Sequence, residues 1–86
     1  MGILEFVALI EPILISNNCS VTSWIRSTLH NANVGGKDNS LHLLGLAVDV
    51  VMDDPTSQNK SRLIAQCERV GLLVIDEGDH LHVQIK

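Results

Sequence analysis

The feature that most constrains the fold is a pair of polar segments that lie far apart in the chain. Residues 40–49 read S-L-H-L-L-G-L-A-V-D and contain His42 and Asp49, while residues 80–82 read H-L-H. Imidazoles from both segments and one carboxylate suit a single zinc ion with a coordination position left for water, as in catalytic rather than structural zinc sites. The fold is therefore expected to bring the two segments together.

Strand geometry shows how these segments can meet. Residues 46–52 and 81–85 both have the pattern of short strands, in which side chains of the same parity share one face. Two neighbouring strands would bring Asp49 and His82 within reach of one ion, and His42 would approach from the loop before its strand. Ligands on strands are held rigidly, which favours a preorganised site.

The composition favours a single small domain, residues 1–86, with a thin aliphatic core. The chain has 86 residues, of which 45% are hydrophobic, so it is not a disordered segment. Its aromatic residues are Phe6 and Trp24, so the core must be built from Leu, Ile and Val. A bound metal would help such a domain, because its binding free energy adds to the folding free energy.

Charge and cysteine content narrow the classes of partner. The formal net charge is −4 and the Lys and Arg residues are scattered singly, which argues against nucleic acid as a partner. Cys19 and Cys67 lack the CxxC spacing of a redox or zinc pair. Buried free thiols are the favoured interpretation, and a disulfide between them is the alternative.

The apolar start of the chain, residues 1–16, resembles a signal peptide or a membrane anchor only superficially. No positively charged segment precedes it, and Glu5, Glu11 and Pro12 interrupt it well short of the ~20 apolar residues that a membrane span needs. Its apolar residues recur at helical spacing, at Ile3, Val7, Ile10 and Leu14. We therefore expect a core helix that Pro12 kinks or restarts, and no insertion into a membrane.

The remaining patterns predict a small α+β domain, with helices on one side of a mostly antiparallel sheet. The expected elements are a helix over 3–16, a strand at 19–23, a helix near 27–33, a loop at 35–39, a strand over 46–52, a helix that starts at Asp54-Pro55 and ends before Gly71, and strands over 72–75 and 81–85. The last two strands are expected to form a hairpin through Gly78-Asp79.

The motif S-x-H-x-x-G-x-A-x-D followed by H-x-H resembles the zinc D-Ala-D-Ala carboxypeptidase and L-alanyl-D-glutamate peptidase family, which shares its metal site with the Hedgehog signalling domain. Upstream, residues 23–27 (S-W-I-R-S), Asn31 and residues 34–36 (V-G-G) are similar to the S-G-Y-R-S … N … V-G-G run of bacterial and phage members. The resemblance covers roughly residues 10–84 and implies a Hedgehog/DD-peptidase-like fold.

This resemblance assigns roles residue by residue. It implies zinc as the cofactor, with three ligands: His42, Asp49 and His82. Asp79 matches the acid/base carboxylate, Arg26 matches the arginine that steadies the substrate, and His80 is the first histidine of H-x-H. The framing positions of the first motif are Ser40, Gly45 and Ala47.

The chemistry of these residue types agrees with those roles. Zinc held by two neutral imidazoles and one carboxylate keeps a net positive charge and can polarise a carbonyl. A carboxylate such as Asp79 can take a proton from water and pass it to the leaving amine. Arg26 could pair with a substrate carboxylate, and His80 could donate to the oxyanion. Asp76 or Glu77 would replace Asp79 if the turn had a different register.

The favoured function is a zinc peptidase that cuts the peptides of bacterial peptidoglycan. The bond stays open between D-Ala-D-Ala, a D,D cross-link and L-Ala-D-Glu, because Trp24-Ile25 replaces the usual Gly-Tyr beside Arg26. A compact unit without a visible signal favours a monomeric phage endolysin, made in the cytoplasm and released to the wall by a holin. The alternatives are a zinc-stabilised binding module without catalysis and a metal-free core domain.

Overall fold

The computed structural model describes residues 2–24 and 45–86, which form two helices and a four-stranded sheet. The elements are α1 (Ile3–Ser16), β1 (Cys19–Ser23), β2 (Ala47–Met52), α2 (Ser57–Arg69), β3 (Leu72–Asp76) and β4 (Leu81–Ile85). The strand order is β1-β2-β4-β3, and each neighbouring pair is antiparallel. The predicted α+β class is confirmed, while the helix expected near 27–33 and the loop at 35–39 lie outside the described residues.

The core lies on one face of the sheet. Both helices contribute to it, and alternate residues of the strands meet them there. The buried cluster consists of Phe6, Ile10 and Leu14 from α1, Leu63 and Cys67 from α2, and Val48, Val50, Met52, Leu72, Leu81 and Val83 from the strands. The opposite face therefore carries the residues of the other parity, among them Asp49 and His82.

Helix α1 has the bounds that the apolar spacing predicts, but its buried stripe differs from the expected one. Phe6, Ile10 and Leu14 are buried at intervals of four residues, whereas Ile3 is 40% exposed. The helix continues through Pro12, so it does not restart there. Pro12 lies on the exposed side, where the carbonyl that loses its hydrogen bond can reach water.

Helix α2 begins two residues later than the sequence predicts. Its N-cap is Thr56, whose hydroxyl accepts a hydrogen bond from the Asn59 backbone N–H at 3.1 Å. The backbone carbonyl of Asp54 instead accepts a hydrogen bond from the side-chain amide of Asn59 at 2.8 Å. The prediction that Asp54 caps the helix is therefore wrong. Asp and Thr can both cap a helix. Thr56 is the cap in this protein because its side-chain oxygen faces the N–H groups of the first turn. Gly71 follows the end of the helix with φ +86°, as predicted.

Both cysteines are free thiols, as the sequence favours, but of the two only Cys67 is buried and Cys19 is partly exposed. Burial raises the pKa of the Cys67 thiol to about 11, with smaller contributions from Cys19 and Glu68. Cys67 therefore fills core space as a neutral group. Within the described residues, no helix has the length and apolar character needed to cross a bilayer.

The one-sided core yields a stability prediction. Leu63 on α2 is fully buried, so L63A should lower the free energy of unfolding by about 2–5 kcal/mol through lost burial and a residual cavity. Leu4 on α1 is 84% exposed, so L4A should change it by less than about 0.5 kcal/mol. Urea denaturation followed by circular dichroism measures both, and equal effects would contradict the core described above.

Candidate metal centre and active site

The register of β2 and β4 places Asp49 directly opposite His82 on the face away from the helices. The Asp49 Oδ1 atom lies 3.1 Å from His82 Nδ1, and the two side chains are only 12% and 14% exposed. This is the juxtaposition that strand parity predicts. It joins Asp49, the last residue of the first motif, to the H-x-H segment in one largely buried site.

A second contact fixes the orientation of the His82 ring. Its Nε2 lies 2.7 Å from Gln84 Oε1, a side chain two residues along the same strand face. When Nε2–H donates to that oxygen, a neutral ring presents its Nδ1 lone pair to Asp49 Oδ1. In that tautomer the Nδ1 lone pair and the carboxylate oxygen, 3.1 Å apart, can both bind one metal ion. A metal-binding histidine that donates its other N–H to an oxygen is the usual ligand arrangement.

The spacing of this pair fits zinc. Two atoms that each lie at a normal zinc bond length, in tetrahedral coordination, stand about 3.3–3.5 Å apart. The observed 3.1 Å between Asp49 Oδ1 and His82 Nδ1 is close to that value. The third predicted ligand, His42, lies outside the described residues. Over residues 2–24 and 45–86, no three His, Cys, Asp or Glu side chains form a complete ligand group, so the structure contributes this pair alone.

His80 lies beside the pair and is surrounded by carboxylates. Its Nδ1 is 2.6 Å from Asp79 Oδ1, and its Nε2 is 3.6 Å from Glu77 Oε2 and 3.8 Å from Asp49 Oδ1. The hydrogen bond to Asp79 raises the pKa of His80, against the opposing effect of partial burial, and the negative charges of Asp49, Asp79 and Glu77 raise it further. His80 is thus held as a ready hydrogen-bond donor.

Asp79 is the accessible member of this group. Its side chain is 89% exposed, and the hydrogen bond to His80 lowers the pKa of its carboxyl. Asp79 is therefore ionised at neutral pH and reachable from solvent. These properties suit a group that accepts a proton from water.

The turn between β3 and β4 positions Asp79 and His80. Asp76 Oδ1 accepts the Gly78 N–H at 2.9 Å, and the Glu77 N–H donates to the His80 carbonyl at 3.0 Å. Gly78 has φ +93°, a left-handed conformation that favours glycine. The Gly78 N–H is also the main cause that lowers the pKa of Asp76, with Lys60 adding to it. The Asp76 carboxylate thus stabilises the turn through the Gly78 N–H rather than facing the Asp49–His82 pair.

Two framing positions of the first motif have structural explanations. Gly45 has φ +71°, and its carbonyl accepts the indole N–H of Trp24 at 2.8 Å. Ala47 is fully buried, where a larger side chain would not fit without rearrangement. Trp24 therefore ties the end of β1 to the start of β2. The other predicted residues of this region, Ser40 and Arg26, lie outside the described residues.

Two residues of the site, Gln84 and Thr22, are not predicted from the sequence. Gln84 orients the His82 ring. It could have been found from the sequence, because residues 82 and 84 of one strand lie on the same face. Thr22 donates its hydroxyl to the Asp49 backbone carbonyl at 3.2 Å, a contact between strands that no local pattern indicates. Thr22, Asp49, Val51, Asp79 and His80 line a cavity of about 310 Å³.

The Asp79–His80 contact predicts a measurable titration in metal-free protein. Because the Asp79 hydrogen bond is the main cause that raises the pKa of His80, D79N should lower that pKa toward its usual value. The interactions that raise the pKa of His80 contribute their full stabilisation of the fold below about pH 6.5, the pKa of an unfolded histidine. This contribution is lost as the pH rises through the higher pKa of His80 in the folded protein. NMR titration of the His80 ring measures the shift.

The control for this titration is E77Q, which removes a more distant charge and should lower the His80 pKa by less. A D79N protein whose His80 titrates as in the wild type would contradict the role assigned to this hydrogen bond.

Comparison with known proteins identifies the family. A family model described as Peptidase M15 matches residues 10–84, which contain Asp49, Asp79, His80 and His82. No curated protein and no solved structure matches the chain. Peptidases of this family are generally zinc-dependent, in keeping with the donor atoms of Asp49 and His82. The match spans most of the sequence and both polar segments, and the chain therefore belongs to the Peptidase M15 family.

Proposed function

We propose that this protein is a zinc-dependent peptidase that hydrolyses stem or cross-link peptides of bacterial peptidoglycan, at a D-Ala-D-Ala or an L-Ala-D-Glu bond. The observation that carries the proposal is the Asp49–His82 pair, 3.1 Å apart, beside the Asp79–His80 pair, 2.6 Å apart. A ligand pair next to an ionised, exposed carboxylate is what hydrolysis needs. A binding module would need the ligands alone.

In this proposal Asp49 and His82 hold the ion, with His42 as the third ligand. Gln84 keeps the His82 ring turned so that Nδ1 faces Asp49. When bound, zinc supplies Lewis-acid polarisation of the scissile carbonyl. Strands β2 and β4 fix both described ligands, so little reorganisation is needed when the ion enters.

The protein's own groups handle the protons and the developing charge. Asp79 accepts a proton from the attacking water and returns it to the leaving amine, a role for which its ionised carboxylate and its exposure suit it. His80, whose pKa is raised by its hydrogen bond to Asp79, donates a hydrogen bond to the oxyanion of the tetrahedral intermediate. Arg26 pairs with a substrate carboxylate, as the family resemblance implies.

The biological setting that fits this chemistry is wall degradation by a phage endolysin. In this setting the protein is made in the cytoplasm, reaches the wall through a holin, and acts as a monomer on peptidoglycan. The resemblance of residues 23–36 to bacterial and phage members supports it.

Metal content tests the ligand assignment. D49N replaces a charged ligand by an amide, so zinc in purified protein should fall from near one per chain to near zero. Q84A should weaken zinc binding by about 10- to 100-fold, because it leaves the His82 ring without its orienting partner. Inductively coupled plasma mass spectrometry and competition with a chelator measure the two effects. The matched control is D53N at an exposed position, and a D49N protein with full zinc content would refute the assignment.

Digestion of purified peptidoglycan, with mass spectrometry of the products, tests catalysis and identifies the bond. The wild type should release a new amine, and D79N should lower kcat by about 100- to 10,000-fold while zinc stays near one per chain. E77Q is the comparison, since Glu77 is the neighbouring carboxylate on the same turn. A protein that holds zinc but releases no amine from any wall peptide would be the binding module instead.

A further inference from the structure

A second cavity adjoins the candidate active site where β2 ends and β4 begins. Its volume is about 330 Å³, and its apolar wall includes Met52, Pro55 and Leu81. It shares Asp79 and His80 with the cavity at Asp49. The two cavities therefore meet at the turn that carries the proposed proton-transfer group.

Lys60 of α2 brings a positive charge to this second cavity. Its Nζ lies 3.4 Å from Asp76 Oδ2 and 3.5 Å from the Gly78 carbonyl, and its side chain is 23% exposed. Both contacts are at the long limit for hydrogen bonds, and an ammonium group has three donors. The ion pair with the 44% exposed Asp76 is therefore weak, and Lys60 can bind another anion at small cost.

The direction of proton transfer indicates which part of the substrate lies in the second cavity. If Asp79 returns the proton to the leaving amine, the residue that supplies this amine must lie next to Asp79. Asp79 lines the second cavity, and Lys60 stands in the wall of the same cavity. A negative group on the leaving residue would thus meet the ammonium group.

We infer that Lys60 binds a free α-carboxylate on the substrate residue that supplies the leaving amine. This inference rests on the proposed function. It applies to both candidate bonds, because the last residue of D-Ala-D-Ala ends in a free carboxylate, and a D-Glu joined through its γ-carboxyl keeps its α-carboxylate free. The short apolar part of either residue suits the wall formed by Met52, Pro55 and Leu81.

The test uses two pairs of synthetic stem peptides, one pair for each candidate bond. The members of a pair differ only in whether the leaving residue carries an α-carboxylate or a carboxamide. K60M should lower kcat/KM for the carboxylate peptide about 10- to 100-fold, mainly through KM, and leave the carboxamide peptide nearly unchanged. K60R should keep most of the preference, because the positive charge remains.

Two controls separate this role from simple support of the turn. R62M removes the same charge from an exposed position of α2, where Arg62 contacts Asn59 at 3.0 Å, and should keep the preference for the carboxylate. D76N removes the ion pair between Lys60 and Asp76 but leaves the ammonium group and its contact with the Gly78 carbonyl in place. It should also keep the preference, even if it lowers both rates.

If K60M lowered kcat/KM equally for the carboxylate and the carboxamide peptide of a pair, the inference would be overturned. Lys60 would then be a positioning residue for the turn. A wild type that cleaves none of the four peptides would instead refute the proposed function. Calorimetric titration of the same peptides then decides the inference alone. Tighter binding of the carboxylate peptide by the wild type than by K60M supports it, and equal binding by the two proteins refutes it.

Discussion

The antiparallel register between β2 and β4 is the constraint on which the site depends. It places Asp49 opposite His82, and a shift by one residue would send one of them to the core face. The core holds that register, because Val48, Val50, Leu81 and Val83 must all face the helices. Burial of aliphatic side chains on one face thus fixes the position of the ionisable groups on the other.

The ionisable groups are linked through shared atoms rather than lying as separate pairs. Asp49 Oδ1 is 3.1 Å from His82 and 3.8 Å from His80, and His80 is bonded in turn to Asp79. This chain of contacts runs from the largely buried Asp49–His82 pair to the exposed carboxylate of Asp79. In the proposed function, Asp49 and His82 hold the ion, while Asp79 and His80 reach the substrate.

Much of the fold follows from local pattern. The bounds of α1, β1 and β4 agree with the sequence prediction, because apolar periodicity and turn residues are local signals. The errors are at positions where several residues can fill one role. Thr56 rather than Asp54 caps α2, and Phe6 rather than Ile3 is buried in α1. Tertiary packing decides between such candidates, and the sequence alone contains no information about it.

The sequence by itself determined which donor groups are available and on which strand face Asp49 and His82 lie, since side-chain parity follows from backbone geometry. It also determined the family, through a match over residues 10–84 that contains Asp49 and the H-x-H segment. The tertiary structure decided the contacts across strands and turns. These are the Gln84 oxygen behind His82, the bond between Asp79 and His80, and the approach of Lys60 to the same turn. Such distances depend on how separate elements pack, and side chains of identical type and parity can lie in contact or apart without any change in local pattern.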